Sequence, residues 1–210
     1  MTPHPAITLS RTFGSGGTEV GFLVARQLGW RFCDRTILRQ TAQALGLPSA
    51  SLRYREERRC GFLERLLNLI AVASPEVPFT PPVELPIYSR DLFEAERKVM
   101  HCLVDNASAV LVGRGGFAAL KDRPLVLNVR IQADLPFRKQ FLVDRKKAQD
   151  GESALKAIEI SDRNRAAFIR EVTGLDWQDP KNFDLVLDTS RDGIAGCAER
   201  IVEEAGRRFR

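Results

Sequence analysis

The chain has 210 residues, 44% hydrophobic and 28% charged, with 32 Lys and Arg against 27 Asp and Glu for a formal charge of +5. That length fits one α/β domain with an ample core, and the charge content is that of a globular chain. No run approaches the ~20 apolar residues of a membrane span, and two histidines with four cysteines, none in a C-x-x-C pair, offer no zinc-site spacing.

The first strand begins by Ala6, which leaves no room for a signal peptide and points to a cytoplasmic chain with reduced thiols. Ile7 to Arg11 reads as a short strand running into Thr12-Phe13-Gly14-Ser15-Gly16-Gly17-Thr18. Val20, Leu23, Val24 and Leu28 then recur at helical spacing, with Gly29 as a stop. Glycines between a strand and a helix let several N–H groups converge, and the helix start adds its positive dipole end. Against G-x-x-x-x-G-K-[ST], Gly16 takes the second glycine and Thr18 the magnesium-binding hydroxyl. Arg11 stands where the first glycine belongs and Gly17 where the lysine belongs, so a flexible turn without ligand is the alternative. With no lysine, Arg11 is the nearest cation for the β- and γ-phosphates.

Further on, 34–45 reads as a helix capped by Asp34, and 52–72 as an arginine-rich helix. Five prolines mark 74–86 as a loop or hinge. Ser89 caps a helix to about Asp105, with Phe93, Glu96, Val99, Met100 and Leu103 mixing an apolar face with charge. Ala109 to Val112 is a buried strand ending in Gly113-Arg114-Gly115-Gly116. Leu125 to Ile131 is a strand, followed by a helix from Asp134 and a charged helix over 151–171. Leu185 to Leu187 is the last strand, ending in Asp188-Thr189-Ser190, and 194–209 closes as a helix. This alternation argues for a parallel sheet covered by helices on both faces, with ligands at the carboxyl ends of its strands.

Two constellations stand out. Arg114 between glycines supplies a bidentate fork where backbone can approach a ligand; the alternative is a tight turn with Arg114 paired to an acid. Asp162 and Arg165 lie three apart on one helical face, as a recognition pair or an internal ion pair. The basic balance favours small phosphorylated ligands over nucleic acid, since arginines sit at element ends and Glu56, Glu57 and Glu64 break the basic run of the 52–72 helix.

The stretches "ITLSRTFGSGGTEVG", "FCDRTIL", "VLVGRGG" and "DRNRAAFIREVTGLDWQDPKNFDLVLDTS" resemble the cytidylate kinase-like family from Ile7 to about Glu203. The resemblance implies a three-layer P-loop fold over 1–210, with a helical acceptor-side insertion at 50–106 and a lid-like segment at 134–171. It implies transfer of the ATP γ-phosphoryl group to a nucleoside monophosphate, CMP or dCMP, with Mg²⁺. Small-molecule nucleotides are the implied partners, no membrane is involved, and homo-oligomerisation stays open. Gly14, Ser15, Gly16, Gly17 and Thr18 match the triphosphate cradle, with Thr18 at the metal. Asp34, Arg114, Asp162 and Arg165 match acceptor-binding positions, while Arg11, Arg138 and Arg163 are the candidates for transition-state charge. Arg35 replaces the small hydroxyl residue found beside the family's aspartate. Ile158 stands where a further arginine belongs. The rival reading is a non-catalytic nucleotide sensor or adaptor that keeps the fold.

Overall fold

A computed structural model describes residues 4–34 and 90–210. Strand β1 (Ala6–Arg11) is central in a five-stranded sheet of order β2-β3-β1-β4-β5, formed with β2 (Arg31–Cys33), β3 (Ala109–Val112), β4 (Val126–Gln132) and β5 (Leu185–Asp188). All pairings are parallel, and Ile7 lies level with Val110 and Leu127. Successive strand side chains face opposite ways, so one strand set builds two cores. Ile7, Leu9, Val110, Val112, Val129 and Ile131 face α1 (Gly17–Leu28) and α6 (Thr189–Arg208). Ala6, Ala109, Leu111 and Val126 face α2 (Arg90–Asn106), the short α3 (Gly116–Ala119) and the end of α5 (Gly151–Thr173). A third cluster, Leu142, Ala154 and Ile158, joins α4 (Leu135–Asp144) to α5.

The caps follow the sequence signals. Gly29 ends α1 in the left-handed region, its N–H closing on the Ala25 and Arg26 carbonyls. Asp134 caps α4, and Asp150 with Ser153 forms a reciprocal capping box on α5. Strand β2 and helix α3 escape periodicity because three and four residues show no period. The C-terminal helix starts at Thr189, earlier than expected, and kinks at Gly193 (φ 69°, ψ 168°) before the apolar stripe begins. The expected helices over 34–45 and 52–72, the proline-rich loop and the Ser89 cap lie, Asp34 apart, outside the described residues.

Cys33 and Cys197 are free and buried. Cys102 is disulfide-bonded, a departure from the expectation of reduced thiols; scattered cysteine spacing carries no information on which thiols the fold brings together. Among the described residues, no helix is long and apolar enough to cross a membrane and no His, Cys, Asp or Glu cluster could hold a metal.

Candidate active site

Because β1 is flanked by β3 on one side and β4 on the other, the loop after it opens where the direction of strand addition reverses, the ligand position of open parallel sheets. The loop is curled by Gly14 (φ 82°) and Gly16 (φ 70°), conformations that glycine adopts without a steric penalty. The Ser15 hydroxyl donates to the Thr12 carbonyl at 2.8 Å, and the Thr189 hydroxyl donates to the Ser15 carbonyl at 2.7 Å. Gly16 is the N-cap of α1 and makes no side-chain cap bond, so among the described residues no cap takes the first-turn N–H groups, which suit an external acceptor. The Thr12 hydroxyl is also a buried oxygen without a hydrogen-bond partner. A curled, uncapped loop with an orphaned hydroxyl fits a polyphosphate. Thr18, half-buried in the first turn of α1, is the hydroxyl that could join a Mg²⁺ otherwise held by phosphates and water.

Arg11 explains both departures from the lysine-containing loop. A Cβ on Gly17 would lie 2.5 Å from the Arg11 Cβ and 3.0 Å from its Cγ, and one on Gly113 would lie 1.9 Å from the Arg11 Nη1. The Arg11 side chain therefore runs through the space a residue-17 side chain would take, and sets its guanidinium against the turn that ends β3. An arginine at 11 and a side chain at 17 exclude one another.

The α4–α5 pair grips the loop's main chain. Asp162 accepts from the Phe13 N–H at 2.9 Å and from Arg165 at 3.1 Å, and it is ion-paired with Arg138. Arg138 donates through Nε to the Phe13 carbonyl at 2.7 Å, and Arg165 to the Arg11 carbonyl at 2.8 Å. One carboxylate and two guanidiniums thus hold the main chain at Arg11 and Phe13. Of the two readings of the Asp162–Arg165 spacing, the structure forms the internal ion pair, and the pair contacts the loop's main chain.

Arg114 adopts φ 50° between Gly113 (φ 86°) and Gly115 (φ 66°). Its Nε and Nη2 bond Glu96 Oε2 at 2.6 and 2.5 Å, and its guanidinium lies 4.2 Å from the centroid of the Phe168 ring. The acid that pairs with it is 1% exposed. Glu96 was legible as the one acid on the 93, 96, 100, 103 stripe of α2, a position that otherwise faces the core. Arg130 was not singled out by the sequence, although Asn128, Arg130 and Gln132 put polar residues at alternate positions of a buried strand. It is buried, donates to the Trp177 carbonyl at 2.7 Å and faces the Trp177 ring at 5.0 Å. Burial lowers its pKa, while the charges of Asp162 and Asp176 act in the opposite direction. Arg165 approaches the same ring at 5.8 Å. Asp34 lies half-buried just beyond β2, and Arg163 is exposed on α5, where no contact among the described residues brings it to the loop.

A parallel sheet in this order, with a glycine loop between β1 and α1, defines a P-loop kinase-type fold, and its arginine-rich strand ends suit a nucleotide kinase. The chain matches the model of the cytidylate kinase-like family over residues 6–191, and it belongs to that family. No curated protein matches it. An uncharacterized protein from Eubacterium ventriosum ATCC 27560 is 16% identical over 98% of this chain and 100% of its own, with a TM-score of 0.72, a likeness of fold alone. Shikimate kinase from Bacteroides thetaiotaomicron (15% identical, 96% of this chain and 98% of its own, TM-score 0.49) and a gluconokinase from Sinorhizobium meliloti 1021 (16%, 99% and 98%, 0.45) align too loosely to carry an argument.

Proposed function

We propose that the chain is an ATP-dependent nucleoside monophosphate kinase, with CMP or dCMP as its acceptor and Mg²⁺ as its metal. The observation that carries this reading is the Arg11 side chain, laid through the space of the missing lysine and ending between the phosphate loop and the Gly113 turn. A guanidinium in that place supplies, with two phosphate-matching donors, the positive charge that the loop's lysine would supply.

In the proposed reaction an acceptor phosphate oxygen attacks the γ-phosphorus, the bond from that phosphorus to the β-phosphate bridging oxygen breaks, and ADP leaves with the electron pair. The acceptor oxygen is already ionised, so no general base is needed; positioning and charge neutralisation do most of the catalysis. The amides of Gly14, Ser15, Gly16, Gly17 and Thr18 would cradle the donor phosphates. Arg11 would neutralise charge developing at the β–γ bridge, because its guanidinium is planar and always charged. Arg138 and the exposed Arg163, on the 134–171 segment acting as lid, would complete the charge. Arg114 and Arg165, with Asp34 and Asp162, would orient the acceptor. The insertion at 50–106, of which α2 is the described part, would form the acceptor side. Mg²⁺, held through Thr18, supplies further neutralisation when bound.

The sensor reading has one observation in its favour. Ile158, where the family carries an arginine, is 4% exposed and packs between α4 and α5 with Leu142 and Ala154, so that position contributes no charge. Arg114→Ala tests the kinase reading. It should weaken monophosphate use about tenfold to a hundredfold, the value of one charge-assisted contact, and leave ATP affinity nearly unchanged. Equal losses for both ligands would contradict the acceptor assignment.

A further inference from the structure

The junction of β5 and α6 carries a side chain that reaches the phosphate loop from outside the loop's own segment. Thr189 is 1% exposed, and its hydroxyl lies 2.7 Å from the Ser15 carbonyl and 3.2 Å from the Gln132 carbonyl. A hydroxyl has one proton to give, and the shorter contact takes it. Ser15 is fully buried, and its own side chain is tied to the Thr12 carbonyl at 2.8 Å.

The Ser15–Gly16 peptide is trans, so its carbonyl and its N–H point in opposite directions across a planar unit. Holding the carbonyl toward β5 turns the Gly16 N–H to the opposite side, where no main-chain acceptor among the described residues takes it. Gly16, at positive φ, offers little steric resistance on its side to rotation of that peptide. A rotated peptide would present carbonyl oxygen to an incoming phosphate in place of a donor. We propose that Thr189 is a positioning residue: through the Ser15 carbonyl it locks the Gly16 N–H in its anion-facing direction and so sets the affinity of the loop for a polyphosphate chain. The proposal rests on the reading of Gly14 to Thr18 as the donor-phosphate site and adds a residue from a different strand to it.

The test uses inorganic tripolyphosphate as probe, titrated by calorimetry into the whole chain, with the Gly16 amide resonance followed before and after ligand. Thr189→Val keeps the shape and removes the hydroxyl; Thr189→Ser keeps the hydroxyl and removes the methyl. We expect T189V to bind tripolyphosphate about tenfold more weakly, with a displaced Gly16 amide resonance already in the free protein, and T189S to bind as the parent does. Unchanged affinity in folded T189V, even with a lower melting temperature, would overturn the proposal and leave Thr189 a purely structural residue. Equal weakening in T189V and T189S would overturn it too, by assigning the effect to the methyl. If T189V does not fold, Thr189→Ala makes the same comparison with T189S. A parent chain that binds no tripolyphosphate would overturn both this proposal and the donor-site reading, whereas a change confined to none of the variants overturns this proposal alone.

Discussion

Exchanging Arg11 and Gly17 tests whether one cation has moved from one loop position to the other. A lysine at 17 with Arg11 in place would bring its Cβ within 2.5 Å of the Arg11 Cβ, against about 3.5–4.0 Å for a normal carbon contact. That overlap of about 1 Å should cost about 1–3 kcal/mol in stability, so Gly17→Lys alone gains nothing. Arg11→Gly alone removes the cation, and loss of an arginine serving the transition state lowers turnover by about 10³–10⁵. The double variant R11G/G17K clears the space and completes the G-x-x-x-x-G-K-[ST] pattern on the same backbone. It should turn over faster than R11G by about tenfold to a hundredfold, the worth of one charge-assisted phosphate contact. The assay is steady-state diphosphate formation from ATP and the preferred monophosphate, with ATP affinity and melting temperature measured for all four chains as a double-mutant cycle. A double variant no better than R11G, or an R11G chain with parental turnover, would refute the reasoning.

Three further outcomes are expected. Gly16→Val places a β-branched residue at φ 70°, with its Cβ 2.8 Å from the Ile194 Cδ1, and should abolish ATP binding by calorimetry; unchanged affinity would remove the loop assignment. Glu96→Gln breaks a pair whose side chains are 11% and 1% exposed, and removing one partner of a buried pair costs about 3–5 kcal/mol; the melting temperature should fall by about 6–20 °C, and a fall of under about 2 °C would mean that the pair is solvated. Burial, with Asp192 adding and Arg200 opposing, raises the Cys197 thiol to about 11, and burial with the Asp34 charge pushes Cys33 up as well. The unfolded chain releases these protons near pH 8.5 while the fold retains them, so urea-melt stability should decline as pH rises from about 8.5 toward about 11; an identical slope in Cys197→Ala would contradict the thiol origin.

The sequence showed what depends on local pattern. Strands β3 and β4, the Gly29 stop and the Asp134 cap follow from apolar runs, capping residues and glycine. It also placed Arg11 and Arg114 beside glycines, since charged residues at strand ends are visible in one dimension, whereas Arg138 came only through the family resemblance. Partners distant in the chain were not legible. Arg114 meets Glu96 from 18 residues earlier, Asp162 meets Phe13 across 149, and Thr189 meets Ser15 across 174. Each sequence signal was a polar residue on a stripe or strand end, and such a residue states that it needs a partner without stating which. The exclusion between Arg11 and Gly17 was hidden for a different reason: it lies in the direction of a side chain, and spacing records only position.

The central claim is tested most directly by incubating the chain with ATP, Mg²⁺ and each nucleoside monophosphate in turn, and measuring the diphosphate formed against a monophosphate-free control. The account expects ADP and a nucleoside diphosphate in equal amounts, with CMP or dCMP the fastest acceptor. ATP binding with no diphosphate formed from any acceptor would contradict it and establish the chain as a nucleotide sensor.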